Sequence, residues 1–241
     1  MKSAFYREIL HDIKKNSGKP GIDAFLNPYL GNKHPMYPIT SPQMRKIAKD
    51  WIREHKDMPA NEFAALITDL IEGKTFTEKY MAGILLDYAK ADQKMFKPAL
   101  FDKWLNHVEG WAEVDGLCTN KYSRTEIVNQ WATWKPLLLK FSRSKNIQKR
   151  RASLVLFCSP LNQVSNMDMS LTALQNVDRL KNEKEVLITK AISWVLRSMV
   201  KLNREILEDY LRDNADTIPK IALRETKVKL ETGRKTKKKL L

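Results

Sequence analysis

Two pairs of residues place an aromatic ring and a charged group on one side of a helix. Trp111 and Asp115 are four residues apart, as are Lys190 and Trp194, with Arg197 almost one turn further on. Residues at this spacing share a helical face. Asp115 lies in the run Val114-Asp115-Gly116-Leu117-Cys118, an apolar setting in which a fully solvated charge fits badly. A carboxylate partly withdrawn from water is therefore expected, and such groups cluster at functional sites because their desolvation must be compensated. Arg151 is either an ion-pair partner for this carboxylate or a contact to phosphate. A tryptophan at helical spacing is commonly core material, which is the reading for Trp51, Trp104, Trp131 and Trp134.

The elements that must position these groups are helices. Gly and Pro together make 18 of 241 residues. Phe5, Ile9, Leu10 and Ile13 recur at helical intervals, as do Phe63, Leu66, Ile67 and Leu70, and Val186, Leu187, Ala191, Trp194 and Val195, while no strand-like alternation is sustained. Ser41-Pro42 reads as a capping hydroxyl before a first-turn proline, and Pro59 and Pro136 read as interruptions between helices of about 10–18 residues. The breaker-rich stretch from Asn16 to Thr40 should hold one short helix between loops. Four segments, YMAGILLDYA, GWAEVDGLCT, RRASLVLFCS and TKAISWVLRS, superimpose on Ala82, Ala112, Ala152 and Ala191, with steps of 30, 40 and 39 residues. That period fits stacked helix pairs of the HEAT or armadillo kind, although an irregular bundle accommodates it too. In the repeat register, Trp111, Asp115, Arg151, Lys190, Trp194 and Arg197 line one concave basic groove.

Charge names the class of partner. Lys and Arg number 43 against 28 Asp and Glu, a net of +15, which favours a polyanion. Residues 227–241 hold +6 of this excess and read as a basic, disordered tail behind one domain over 1–226. The run Arg143–Arg151, which includes Arg150, holds five cations and no acid. Cys118 and Cys158 sit in apolar surroundings, and the four histidines are scattered, so neither a disulfide framework nor a metal-ligand spacing is present. The amino-terminal charges and the lack of a long apolar run imply a cytoplasmic chain with no membrane partner.

The segments GWAEVDGL (110–117), NIQKRRASLVLF (146–157) and KAISWVLRSMVK (190–201), with YPITSPQMRKI (37–47) upstream, resemble the DNA alkylation repair proteins of the AlkD type over nearly the whole chain. The resemblance implies an all-α HEAT-like solenoid acting as a DNA glycosylase. It places the active-site carboxylate on Asp115, lesion-facing rings on Trp111 and Trp194, DNA-backbone contacts on Arg151 and Arg197, and a lesion-side aromatic on Tyr29. Lys190 and Arg150 join the DNA-binding set through their neighbours. Gly110 departs from relatives that carry a bulky aromatic there. The implied reaction is monofunctional hydrolysis of the N-glycosidic bond of cationic N3- or N7-alkylated purines in duplex DNA, by a monomer without metal or cofactor and with little need for a deep pocket. The alternative is a catalytically silent repeat module that binds DNA or structured RNA.

Overall fold

The computed structural model describes residues 2–235, and among these every extended element is a helix. The chain divides into two compact units, residues 1–122 and 123–241.

The first unit contains α1 (Ala4–Lys15), α2 (Leu26–Leu30), α3 (Ser41–Glu54), α4 (Ala60–Ile71), α5 (Phe76–Tyr88), α6 (Leu100–Trp104) and α7 (Gly110–Cys118). Its boundary falls at the start of α8 (Lys121–Asn129). Ser3 caps α1 by accepting from the Tyr6 N–H. The start of α3 lies one residue from where the sequence suggests. Thr40, not Ser41, is the capping residue and forms a reciprocal capping box with Gln43, while Pro42 sits in the first turn where its missing N–H is harmless. Pro59 does separate α3 from α4. The core gathers Phe63, Leu66, Ile67 and Leu70 of α4, all fully buried, with Phe101 and Trp104. Tyr122 stacks on Phe96 at 4.6 Å between ring centroids, and the Trp104 indole N–H donates to Thr68 Oγ1 at 2.9 Å.

The second unit contains α9 (Trp131–Ser142), α10 (Ile147–Val155), α11 (Cys158–Leu161), α12 (Met167–Leu180), α13 (Val186–Met199), α14 (Arg204–Asn214) and α15 (Lys220–Thr232). Pro136 does not interrupt a helix, contrary to expectation. It lies inside α9, on an exposed side with Ala132, so the carbonyl that loses its N–H partner can face water while buried Trp134, Leu138 and Phe141 hold the helix to the core. Asn176 of α12 donates to the carbonyls of Leu138 and Ser153 at 3.3 and 3.0 Å, stitching α9, α10 and α12. The tail boundary drawn at residue 227 falls within α15, which continues to Thr232 and ends on Gly233 at φ +70°. Residues 236–241, which contain the rest of that tail, lie outside the described residues.

The repeat alanines all fall on helices. Ala82, Ala112, Ala152 and Ala191 lie on α5, α7, α10 and α13, and all four are buried. Within the first unit α5 packs on α7, and within the second α10 packs on α13. The α5–α7 crossing is close enough that a Cβ on Gly83 would lie 2.2 Å from the Gly116 carbonyl oxygen. Among the described residues no helix is long and apolar enough to cross a membrane.

Candidate active site

The first unit brings Tyr29, Trp111 and Asp115 together. Trp111 and Asp115, both half-buried on α7, line a cavity of about 810 Å³ with Phe76 and Tyr80 of α5 and Tyr37 from the preceding segment. Phe76 and Tyr80 stack at 5.4 Å. The Trp111 indole N–H donates to the Tyr29 carbonyl at 2.7 Å, and the two rings meet edge to face at 5.6 Å. The Trp111 plane is thereby oriented by a second element and is not left to rotate. Asp115 uses its backbone carbonyl to accept from the Thr119 N–H at 2.9 Å and hydroxyl at 2.7 Å, which closes the end of α7.

Sequence reasoning missed what holds this wall in place. Gly31 ends α2 at φ +72° and Gly110 begins α7 at the same angle. A Cβ on Gly110 would stand 2.3 Å from the Gly31 oxygen, so a bulky aromatic at this position has no room on this backbone. Beside this contact, buried Glu113 accepts from the Glu109 N–H and pairs with His34 Nδ1, both at 2.7 Å, while Glu109 accepts from the Lys33 N–H at 3.1 Å. Lys79 is also buried and donates to the Ile71 carbonyl at 2.6 Å. Burial pulls its pKa down, and attraction to Glu113 and Glu78 opposes that fall. Burial raises the Tyr37 pKa, with the Glu78 charge adding to it, so this cavity-lining phenol stays protonated. The signals available in sequence were the glycines at 31 and 110 and the buried-register Glu113, none of which reveals its partner.

The second unit holds the remaining candidates on α10 and α13. Lys190 is exposed and Trp194 half-buried on one side of α13. Arg197 lies on the same side but is engaged: its Nε donates to Ser193 Oγ at 3.2 Å and pairs with Glu225 of α15 at 3.5 Å. Arg150 forms a two-pronged pair with Glu183 at 2.8 and 3.1 Å and donates to the carbonyls of Ser144 and Lys145. Arg151, 4% exposed, reaches the Leu187 carbonyl and ties α10 to α13. Three cations selected by sequence as DNA contacts thus have intramolecular partners. Net charge also differs between the units: residues 1–122 carry 18 Lys and Arg against 16 Asp and Glu, residues 123–241 carry 25 against 12. Among the described residues, no group of three or more His, Cys, Asp or Glu could hold a metal ion.

An all-helical repeat protein with a carboxylate in an aromatic cavity and a strongly basic half is the class that fold and geometry define. The DNA alkylation repair enzyme family matches residues 10–230, and the chain belongs to that family. A solved structure of a "predicted DNA alkylation repair enzyme" from Enterococcus faecalis is similar in fold, with a TM-score of 0.69 and 18% sequence identity, covering 87% of this chain and 94% of that one. Comparison with curated proteins gives no match.

Proposed function

We propose that the protein is a monofunctional DNA glycosylase that removes cationic N3- or N7-alkylated purines from duplex DNA. The observation that carries this reading is the placement of Asp115 and Trp111 on one wall of an aromatic-lined cavity. Alkylation leaves the purine positively charged and hence a good leaving group. As the C1′–N bond breaks, its electron pair goes to the base, which departs neutral, and positive character moves to the deoxyribose. Asp115 stabilises that developing charge and orients a water whose oxygen adds to C1′, and the water's proton passes to the carboxylate or to solvent. Fixed charges aimed at a transition state require little reorganisation, which makes this kind of stabilisation effective.

Trp111 offers a ring face to the cationic base, worth about 0.5–2 kcal/mol depending on desolvation. Its hydrogen bond to Tyr29 gives the ring a fixed plane in advance of binding. On the second unit, Trp194 is assigned the same role toward the lesion, and exposed Lys190 that of a phosphate contact, which positions without reading sequence. Arg150, Arg151 and Arg197 hold the helices that carry these groups through Glu183, the Leu187 carbonyl and Glu225, and are assigned to contacts with the DNA backbone in the bound state.

The deciding experiment measures release of 7-methylguanine and 3-methyladenine from methylated duplex DNA by wild type, Asp115→Asn and Trp194→Ala. Release by wild type and its loss in Asp115→Asn supports the proposal. Full activity in both variants overturns the mechanism, and salt-dependent binding without any release identifies a silent DNA-binding module instead.

A further inference from the structure

The contact between α13 and α15 in the second unit holds a cluster of charged groups, of which the proposed chemistry uses only Arg197. Ser193, buried on α13, donates its hydroxyl to Glu225 Oε2 at 2.6 Å and accepts from Arg197 Nε at 3.2 Å. Arg197 Nε lies 3.5 Å from the same carboxylate oxygen, and Lys235 Nζ lies 3.7 Å from Glu225 Oε1. Lys229 is one turn along α15 from Glu225 and half-buried. Burial lowers its pKa, and the charge of Arg197 lowers it further, so two cations press on one another here. Arg197 and Glu225 keep 14% and 16% of their side-chain surface exposed and Lys235 keeps 58%, so an anion from solution can reach the cluster.

Charge and donor type select the ligand. α13 carries Lys190 and Arg197 and no acid, and residues 220–235 add six Lys and Arg against two Glu, so one carboxylate leaves the cluster positive. Guanidinium, ammonium and hydroxyl groups are the donors that hold phosphate oxygens. The Glu225 carboxylate stands where such an oxygen would meet Ser193, Arg197 and Lys235 together. Trp194 lies three residues before Arg197 on α13, so the cluster adjoins the ring assigned to the lesion.

The geometry points to a phosphate site formed by Ser193, Arg197, Lys229 and Lys235, with Glu225 as its internal occupant. In the free protein the carboxylate holds the donors; on the duplex a backbone phosphate takes its place and Glu225 turns to solvent. The inference rests on the reading that duplex DNA is the substrate. Glu225 keeps neighbouring cations in place until the duplex arrives and competes with it, so its removal strengthens binding. A carboxylate that merely aimed Arg197 at DNA would have the opposite effect. These residues hold the duplex and touch no reacting atom, so their role is binding and not catalysis.

The test measures binding of the full chain to a fluorescein-labelled duplex by anisotropy over a range of salt. In Glu225→Gln a solution anion, released on binding, replaces the tethered carboxylate. This variant is expected to bind about tenfold more tightly at about 0.1 M salt, with a slope of log K against log salt steeper by about 1. Adding Arg197→Ala or Lys229→Ala removes that gain. Asp216→Asn makes the same change in net charge at an exposed position and leaves the slope unchanged. Weaker or equal binding by Glu225→Gln, an equal gain in Asp216→Asn, or a gain that survives both cation replacements overturns the inference. Should Glu225→Gln lower Tm, Lys229→Ala alone decides: a slope shallower by about 1 supports the site, and an unchanged slope overturns it. Displacement of the duplex by inorganic phosphate, beyond that by chloride of matched ionic strength, makes the site one for free phosphate and overturns its assignment to DNA. Release of 7-methylguanine by wild type, with equal slopes in wild type and Glu225→Gln, overturns the site and leaves the glycosylase reading standing; a steeper slope in the variant without release by wild type does the reverse.

Discussion

The two units differ in net charge and in where their charged groups find partners. In the first, whose net charge is +2, three charged side chains are buried at the site's wall or beside it: Glu113 clamps His34 and the start of α7, Lys79 donates to a helix-terminal carbonyl, and Glu78 caps α5, while half-buried Glu109 holds the Lys33 N–H. In the second, with net charge +13, Arg151 is buried, Arg150 and Arg197 pair with carboxylates, and Lys190 is exposed. On the proposed function, the near-neutral unit supplies the half-buried carboxylate and the rings of the cavity, and the basic unit adds long-range attraction for a polyanion.

Replacing the first unit's carboxylate should have the largest effect. Asp115→Asn is expected to slow base release in single turnovers by about 10²–10³-fold, the scale of one lost transition-state electrostatic contact, while duplex affinity measured by fluorescence anisotropy stays nearly constant. If affinity and rate fell together, the proposed separation of chemistry from binding would be lost. Next is the wall itself. Gly110→Ala forces a Cβ at φ +72° against the Gly31 oxygen and should cost about 2–4 kcal/mol in chemical denaturation, with an aromatic there costing at least as much. A stable Gly110→Trp would show that the α2–α7 approach relaxes easily.

A smaller effect is expected on the basic side. Lys190→Ala should weaken duplex binding and reduce the salt slope of log K by about 1, with no change in single-turnover rate at saturation. Trp111→Ala should leave that slope unchanged, so equal slopes in both variants would contradict the division. The smallest effect concerns the segment that carries Phe25. The Asp23 pKa is lowered in the fold by two backbone hydrogen bonds, so its contribution to stability is present above the unfolded carboxyl pKa and is lost as pH falls through the lower folded value. Asp23→Asn should therefore flatten the acid side of the Tm-versus-pH curve slightly, below about pH 4, and leave Tm near neutrality almost unchanged, because Asn can accept the same bonds. A large loss at neutral pH would mean that the carboxylate charge itself supports the segment.

Much of the fold could be read from local pattern. Helical periodicity, the short helix within 16–40, the boundary at Pro59 and the four buried alanines are all present in the structure. The errors share one cause. Pro136 signals a break because its own chemistry disfavours helix interiors, yet burial of Trp134 and Phe141 keeps α9 continuous around it. Position 227 signals the start of a tail because lysines dominate beyond it, yet Thr226 is fully buried and α15 continues past it. In both cases packing outweighs composition.

The same distinction governs the site. Residue type and helical spacing determined that Trp111 and Asp115 share a face and that α13 presents Lys190, Trp194 and Arg197 together, because both follow from 3.6 residues per turn. Only the tertiary structure decided which groups those side chains meet. It set the plane of Trp111 through a carbonyl 82 residues away in sequence and paired Glu113 with His34. It directed Arg150 to a carboxylate in the α12–α13 connection and Arg197 to one on α15, and it left Phe25 standing in solvent. Hydrogen bonds and ion pairs act over a few ångströms, and it is the packing of helices that brings distant parts of the chain within that range.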